Sequence, residues 1–179
     1  MTQRQTIGRV AQLGIALFVT TAPAVRSQTP PSAESASLPT PAQERYLNGL
    51  RTTGRGVAQL KSGVDRVMRS RSDAAELRTA GQRLGGLCGS AASFMRQGRA
   101  RMAHIAFTDS VRVIARRLNT QIDSVIAFLP TCQRRGGQAP EQTAATIVTR
   151  LRSYEAALQR FREAVILPAA AQADSGSSQ

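Results

Sequence analysis

From Tyr46 to Val165 apolar residues return every three or four positions, the period that sets one side of an α-helix against a core. The first stripe is Tyr46, Leu47, Leu50, Val57, Leu60, Val64 and Val67. It opens at Thr40-Pro41-Ala42-Gln43, where Thr40 is a cap, Pro41 suits the first helical position and Gln43 can reach back to the cap amide. The stripe stops near Ser70. Asp73-Ala74-Ala75-Glu76 repeats the capping spacing and starts a second helix, whose apolar sets are Leu77, Leu84, Ala91 and Ala80, Leu87, Phe94. A third helix is expected from about Arg99 to Phe128, with Phe107, Val111, Ile114, Leu118, Ile122 and Val125 inward. Leu129-Pro130 should end it, because the residue before proline avoids the helical region. The fourth begins at Pro140, carries Ala144, Ile147, Leu151, Tyr154, Leu158, Phe161 and Val165, and is expected to stop at Pro168.

No stretch alternates with period two, so the expected class is all-α. Short first and second connections, the latter read at Gly98, force antiparallel neighbours, which gives an up-down-up-down four-helix bundle over residues 41–168. Were Gly98 not a turn, helices two and three would merge and the bundle would close through a second chain. Residues 28–40, rich in proline and serine, read as a disordered linker, and residues 169–179 as a disordered tail. Residues 1–27 read as a secretory signal: Arg4 and Arg9 precede the apolar run Val10–Thr20, and cleavage is expected after Ala24 or Ser27. That run is well short of the ~20 residues that cross a bilayer. The expected destination is the bacterial periplasm or the exterior, with no membrane-spanning segment after cleavage.

Charge and rare residues narrow the chemistry. Basic residues number 24 against 11 acidic, a formal charge of +13, and all but Lys61 are arginine. One histidine and two cysteines exclude a zinc finger, a four-cysteine iron–sulfur centre and a c-type haem attachment. A di-metal bundle needs Glu-x-x-His repeats, and the chain has none, so no metal site is expected. Asp109 and Ser110 lie five and six positions from His104, on other faces of a helix, so a Ser/His/Asp set is not assembled. The carboxylates stand singly among arginines, and the glycine-rich stretch Gly81–Gly86 lacks the Lys and Ser/Thr of a phosphate loop. An enzyme is not expected.

Four features remain. Gly81, Gly85, Gly89 and Ser93 recur every four residues, so a second helix can approach closely there, within the bundle or across a homodimer; alternatively the helix breaks at Gly85-Gly86. In an oxidising compartment Cys88 and Cys132 are expected to pair within the chain. A turn at Gly98 would set Cys88 beside residue 109, roughly 20 Å from Cys132. The pairing therefore requires the 130–139 loop to fold back or helix two to break, unless the bond joins two chains. His104 falls on the inward set 104/111/118/125, with Met95 and Met102 near its level. A His and a Met inside an exported four-helix bundle resemble the b-type cytochromes of that architecture, which would imply haem b and electron transfer; those carry their ligands on the first and last helices, which these residues do not match.

Last, arginines avoid the apolar seams: Arg51, Arg55, Arg66 and Arg69 on helix one, Arg112, Arg116 and Arg117 on helix three, Arg134 and Arg135 beyond it, and Arg150, Arg152, Arg160 and Arg162 on helix four. Such a surface attracts polyanions of the cell envelope or a protein partner. Single-stranded nucleic acid would also need exposed aromatics, and Tyr46, Phe94, Phe107, Tyr154 and Phe161 all fall on core positions. The expected function is a non-enzymatic binding or structural module with a basic face, the alternatives being the haem bundle and a homodimeric module packed through the Gly81–Ser93 stripe.

Overall fold

A computed structural model describes residues 38–174, with side chains to Val165. Residues 1–27, expected to be a secretory signal, residues 28–37 of the expected linker and residues 175–179 of the expected tail lie outside the described residues. Four helices run up, down, up and down: α1 Pro41–Arg69, α2 Ala74–Arg99, α3 Asp109–Arg135 and α4 Pro140–Asp174. No described helix is long and apolar enough to cross a membrane.

Local chemistry starts the first two helices as their sequences require. The Gln43 amide donates to Thr40 Oγ1 at 3.3 Å, and the Thr40 amide donates to Gln43 Oε1 at 2.8 Å, closing the capping box. Asp73 caps α2 by accepting from the amides of Ala75 and Glu76 at 2.7 and 3.0 Å. Those two bonds, that from Glu76 foremost, hold the Asp73 carboxyl below its ordinary pKa.

The core takes the anticipated stripes: Tyr46, Val57, Leu60, Val64 and Val67 from α1, Leu84 from α2, Leu118, Ile122 and Val125 from α3, and Ile147, Leu151, Tyr154 and Phe161 from α4 are buried. Phe94 departs from its core assignment and is only half-buried.

Three boundaries differ from expectation, each where tertiary packing overrides a local preference. Gly98 is not a turn. It is a buried residue of α2, pressed against the Gly49 carbonyl and Thr53 of α1. The connection to α3 is instead residues 100–108, holding a short 3-10 turn at His104–Ala106. It climbs alongside the first three turns of α3, since the Asn119 amide donates to the Met102 carbonyl at 2.9 Å. The same Asn119 accepts from the Tyr46 hydroxyl at 3.1 Å. Above this bond the rings of Tyr46, Phe107 and Phe161 pack with centroids 5.0 to 5.3 Å apart. Burial raises the Tyr46 pKa, keeping the phenol protonated as a donor.

The second difference is Pro130, which lies inside α3 rather than ending it. Its missing N–H and ring cost the helix about 3 kcal/mol. Burial of Leu129 and the tie at Cys132, two residues past the proline, carry the helix through it. The third is Pro168, which α4 passes to reach Asp174, so residues 169–174 are helical and not tail.

These shifts resolve the cysteines. With the turn moved past Gly98, α2 and α3 pair in a register that brings Gly85 to Gln133 and Cys88 to Cys132, not to residue 109. The two cysteines are fully buried and bonded within the chain, their Cα atoms 6.1 Å apart. Neither a folded-back loop nor a helix break is needed, because α2 is continuous across Gly85-Gly86.

Candidate anion-binding surface

The residues singled out from the sequence divide into packing parts and surface parts. Gly81 and Gly85 are buried against the end of α3: a methyl on Gly81 would meet the Gly136 carbonyl oxygen and stand 2.7 Å from Cβ of Pro140, the first residue of α4, and one on Gly85 would stand 3.0 Å from the Gln133 carbonyl oxygen. Gly89 is half-buried beside the Gln133 side chain, while Ser93 is exposed and outside the seam. Close approach within the chain is therefore what the first two glycines provide. A second glycine set was missed in the sequence. Gly49, Gly56 and Gly63 on α1 recur every seven residues and face Gly98, Ala91 and Leu84, which recur every seven on α2. A methyl on Gly56 would sit 2.9 Å from the Ala91 carbonyl oxygen, so the backbones are nearly touching.

His104, Met95 and Met102 do not form the inward set expected. His104 stands half-buried on the connection, not on a helix, so its heptad relation to residues 111, 118 and 125 does not exist. Met95 and Met102 are wholly enclosed by bundle atoms. Met95 Cγ packs on Gly56, and Met102 Sδ takes the Thr53 hydroxyl at 3.8 Å. These contacts fit thioethers used as core filling.

The arginines expected to hold an anion are split. Arg112, Arg116 and Arg117 occupy the first half of α3 and Arg134 and Arg135 its last turn, ~26–35 Å apart at 1.5 Å per residue. They are not one site. Arg112 is further tied to Asp109 at 3.0 Å and donates to the Phe107 carbonyl at 3.3 Å. Arg134 donates to Thr131 at 3.5 Å. Arg116, Arg117 and Arg135 are exposed.

Sequence reading passed over the feature between those ends. Arg150 of α4 is half-buried, its guanidinium carbon 5.2 Å from the ring centroid of Phe128 on α3. Its Nη1 donates to the Ser124 carbonyl at 2.9 Å and to Ser124 Oγ at 2.6 Å, while Nε is buried without a partner. No carboxylate among the described residues pairs with it: Asp123, next in sequence to Ser124, pairs with Arg99 at 2.9 and 3.0 Å. Arg150 lines a cleft of about 410 Å³ between α3 and α4, with Gln121, Ser124, Thr146, Thr149 and Ser153. Thr146 and Thr149 donate their hydroxyl protons to the carbonyls of Gln142 and Ala145 at 2.9 and 3.1 Å, and Ser153 its proton to that of Thr149 at 3.4 Å. Toward the cleft those three hydroxyls therefore offer lone pairs. The signal available beforehand was the hydroxyl set 146, 149 and 153 around an arginine; what it faces depended on the pairing of α3 with α4.

No known family, curated protein or solved structure matches the chain.

Proposed function

We propose that the chain is an exported, non-enzymatic helical bundle that binds an anionic component of the cell envelope through its arginine surface. The observation that carries this reading is uncompensated guanidinium charge. Among the described residues ion pairs engage Lys61, Arg71, Arg99 and Arg112, while Arg45, Arg51, Arg55, Arg116, Arg117, Arg135, Arg152, Arg160 and Arg162 are exposed with no carboxylate partner. Exposed guanidinium groups form bidentate bonds to carboxylate, sulfate and phosphate and draw polyanions over a distance set by salt. Export rests on the N-terminal pattern of residues 1–27 and agrees with the bonded cysteines.

Retention on immobilised heparin tests the reading. The protein is expected to elute above about 0.15 M salt, with a midpoint that moves down as exposed arginines are replaced by glutamine. Elution below that concentration would remove the polyanion reading. A protein partner recognised by shape would then be the surviving form of the binding module.

A further inference from the structure

We infer that the cleft between α3 and α4, centred on Arg150, is a subsite for an acidic saccharide: an acid group on the guanidinium and sugar hydroxyls donating into the wall. The inference rests on the polyanion reading above and gives it a place and a ligand class.

Arg150 lacks what a half-buried arginine ordinarily has. Removing a guanidinium from water is tolerated when a carboxylate or several hydrogen bonds replace the solvent. Arg150 has the Ser124 carbonyl and hydroxyl on Nη1 and the Phe128 face beneath it, but no anion. Those contacts fix the direction of the planar group while leaving Nη2 with no partner among the described residues. A donor held in place by its neighbours binds an anion with little loss of side-chain freedom.

Beyond the residues that line the cleft, two further arginines follow the same helix faces. Arg117 lies seven positions before Ser124 and Arg160 seven after Ser153, so both stand two helical turns further along the same edge. Both are exposed and free of ion pairs among the described residues. Along α4, Arg160 stands ~15 Å beyond Arg150, so an extended ligand seated in the cleft can reach a second cationic group.

The wall between these charges chooses among anions. Inorganic phosphate needs donors on every side, and the hydroxyls of Thr146, Thr149 and Ser153 have already given their protons to their own helix. They can only accept. A ligand with acid groups to meet the arginines and hydroxyl protons to meet these oxygens fits both halves, and a uronic-acid or otherwise acidic oligosaccharide has that composition. Gln121 can serve either function with its amide.

Titration calorimetry with tetragalacturonate, inorganic phosphate and neutral maltotetraose tests the inference on the oxidised protein. The acidic tetramer is expected to bind at least about tenfold more tightly than phosphate, and maltotetraose not measurably. Arg150→Gln should weaken the tetramer about tenfold. Because Arg150 also ties α4 to α3, the paired exposed change Arg117→Gln/Arg160→Gln is measured beside it, with about a fivefold loss expected. Thr149→Val should lower tetramer affinity about threefold and leave phosphate unmoved, a split that lost charge alone does not produce. Arg134→Gln/Arg135→Gln, at the far end of α3, should change nothing beyond twofold. Equal losses from every arginine pair would overturn the subsite while leaving the polyanion reading intact, as would heparin retention without tetramer binding. Absence of both removes the reading underneath it.

Discussion

The α1/α2 seam and the α3/α4 seam join the same kind of element and are built in opposite ways. Along the first, glycines every seven residues bring two backbones into contact, and a methyl on Gly98 would lie 2.5 Å from the Gly49 carbonyl oxygen and 2.7 Å from the Thr53 nitrogen. Polar atoms there are enclosed and partnered, as with the Thr53 hydroxyl on Met102. Along the second, Arg150 bridges α4 to Ser124 of α3, and with a row of hydroxyls it lines an outer cleft of about 410 Å³. Dry contact makes the first seam a source of rigidity, since dispersion is lost wherever a gap opens. The second gives up part of that contact and gains a charged, accessible groove. On the proposed reading, stability and recognition fall to different seams of one bundle.

Four changes measure how much the packed parts of the bundle contribute. Reducing the Cys88–Cys132 bond opens a loop of 44 residues and should lower unfolding free energy by about 4 kcal/mol, read from urea denaturation with and without reductant. Gly98→Val forces side-chain atoms into the α1 backbone and should cost about 3 kcal/mol in the same assay. Tyr46→Phe removes the donor to Asn119 and the Ala115 carbonyl, which lie 3.1 and 3.3 Å from the hydroxyl, for a loss of about 1–2 kcal/mol. The smallest effect has the opposite sign. A methyl on Gly54 meets nothing within 4 Å, so Gly54→Ala should stabilise by about 0.5–1 kcal/mol through helix propensity alone.

The pH dependence follows from two groups. The folded pKa of Asp73 lies below its unfolded value, so its cap is fully formed above the unfolded value of ~3.9 and stability is lost as pH falls through the folded one. Tyr46 has the reverse sign: its folded pKa is raised, so its contribution is complete below ~10 and declines as pH climbs beyond that. Thermal melts from pH 2 to 11 should fall at both ends, and Asp73→Ala should flatten the acid side.

What the sequence disclosed depended on range. Caps at Thr40 and Asp73 and the stripes of α1 and α4 are local properties and were legible. Gly98 and Pro130 were misread for one reason: each is a poor helix former by itself, and each is held in a helix by a distant partner, the Gly49 backbone for one and the Cys88–Cys132 tie for the other. The sevenfold glycines were visible but carry no apolar signal, so a search for hydrophobic periodicity steps over them. The five arginines expected to hold an anion stand out by their density in sequence, which says nothing of the ~26–35 Å that separates the two groups along α3. Arg150 lies off the apolar seam of its own helix, and its half-burial exists only once α3 and α4 are side by side.

The division of labour between seams is tested most directly by amide chemical-shift mapping of the labelled, oxidised protein during titration with tetragalacturonate. The account predicts shifts confined to Gln121, Ser124 and the 146–153 stretch, fading toward Arg117 and Arg160, with Gly49, Gly56 and Gly98 unmoved. Perturbations spread evenly over the exposed arginines of all four helices, or centred on the glycine seam, would contradict it.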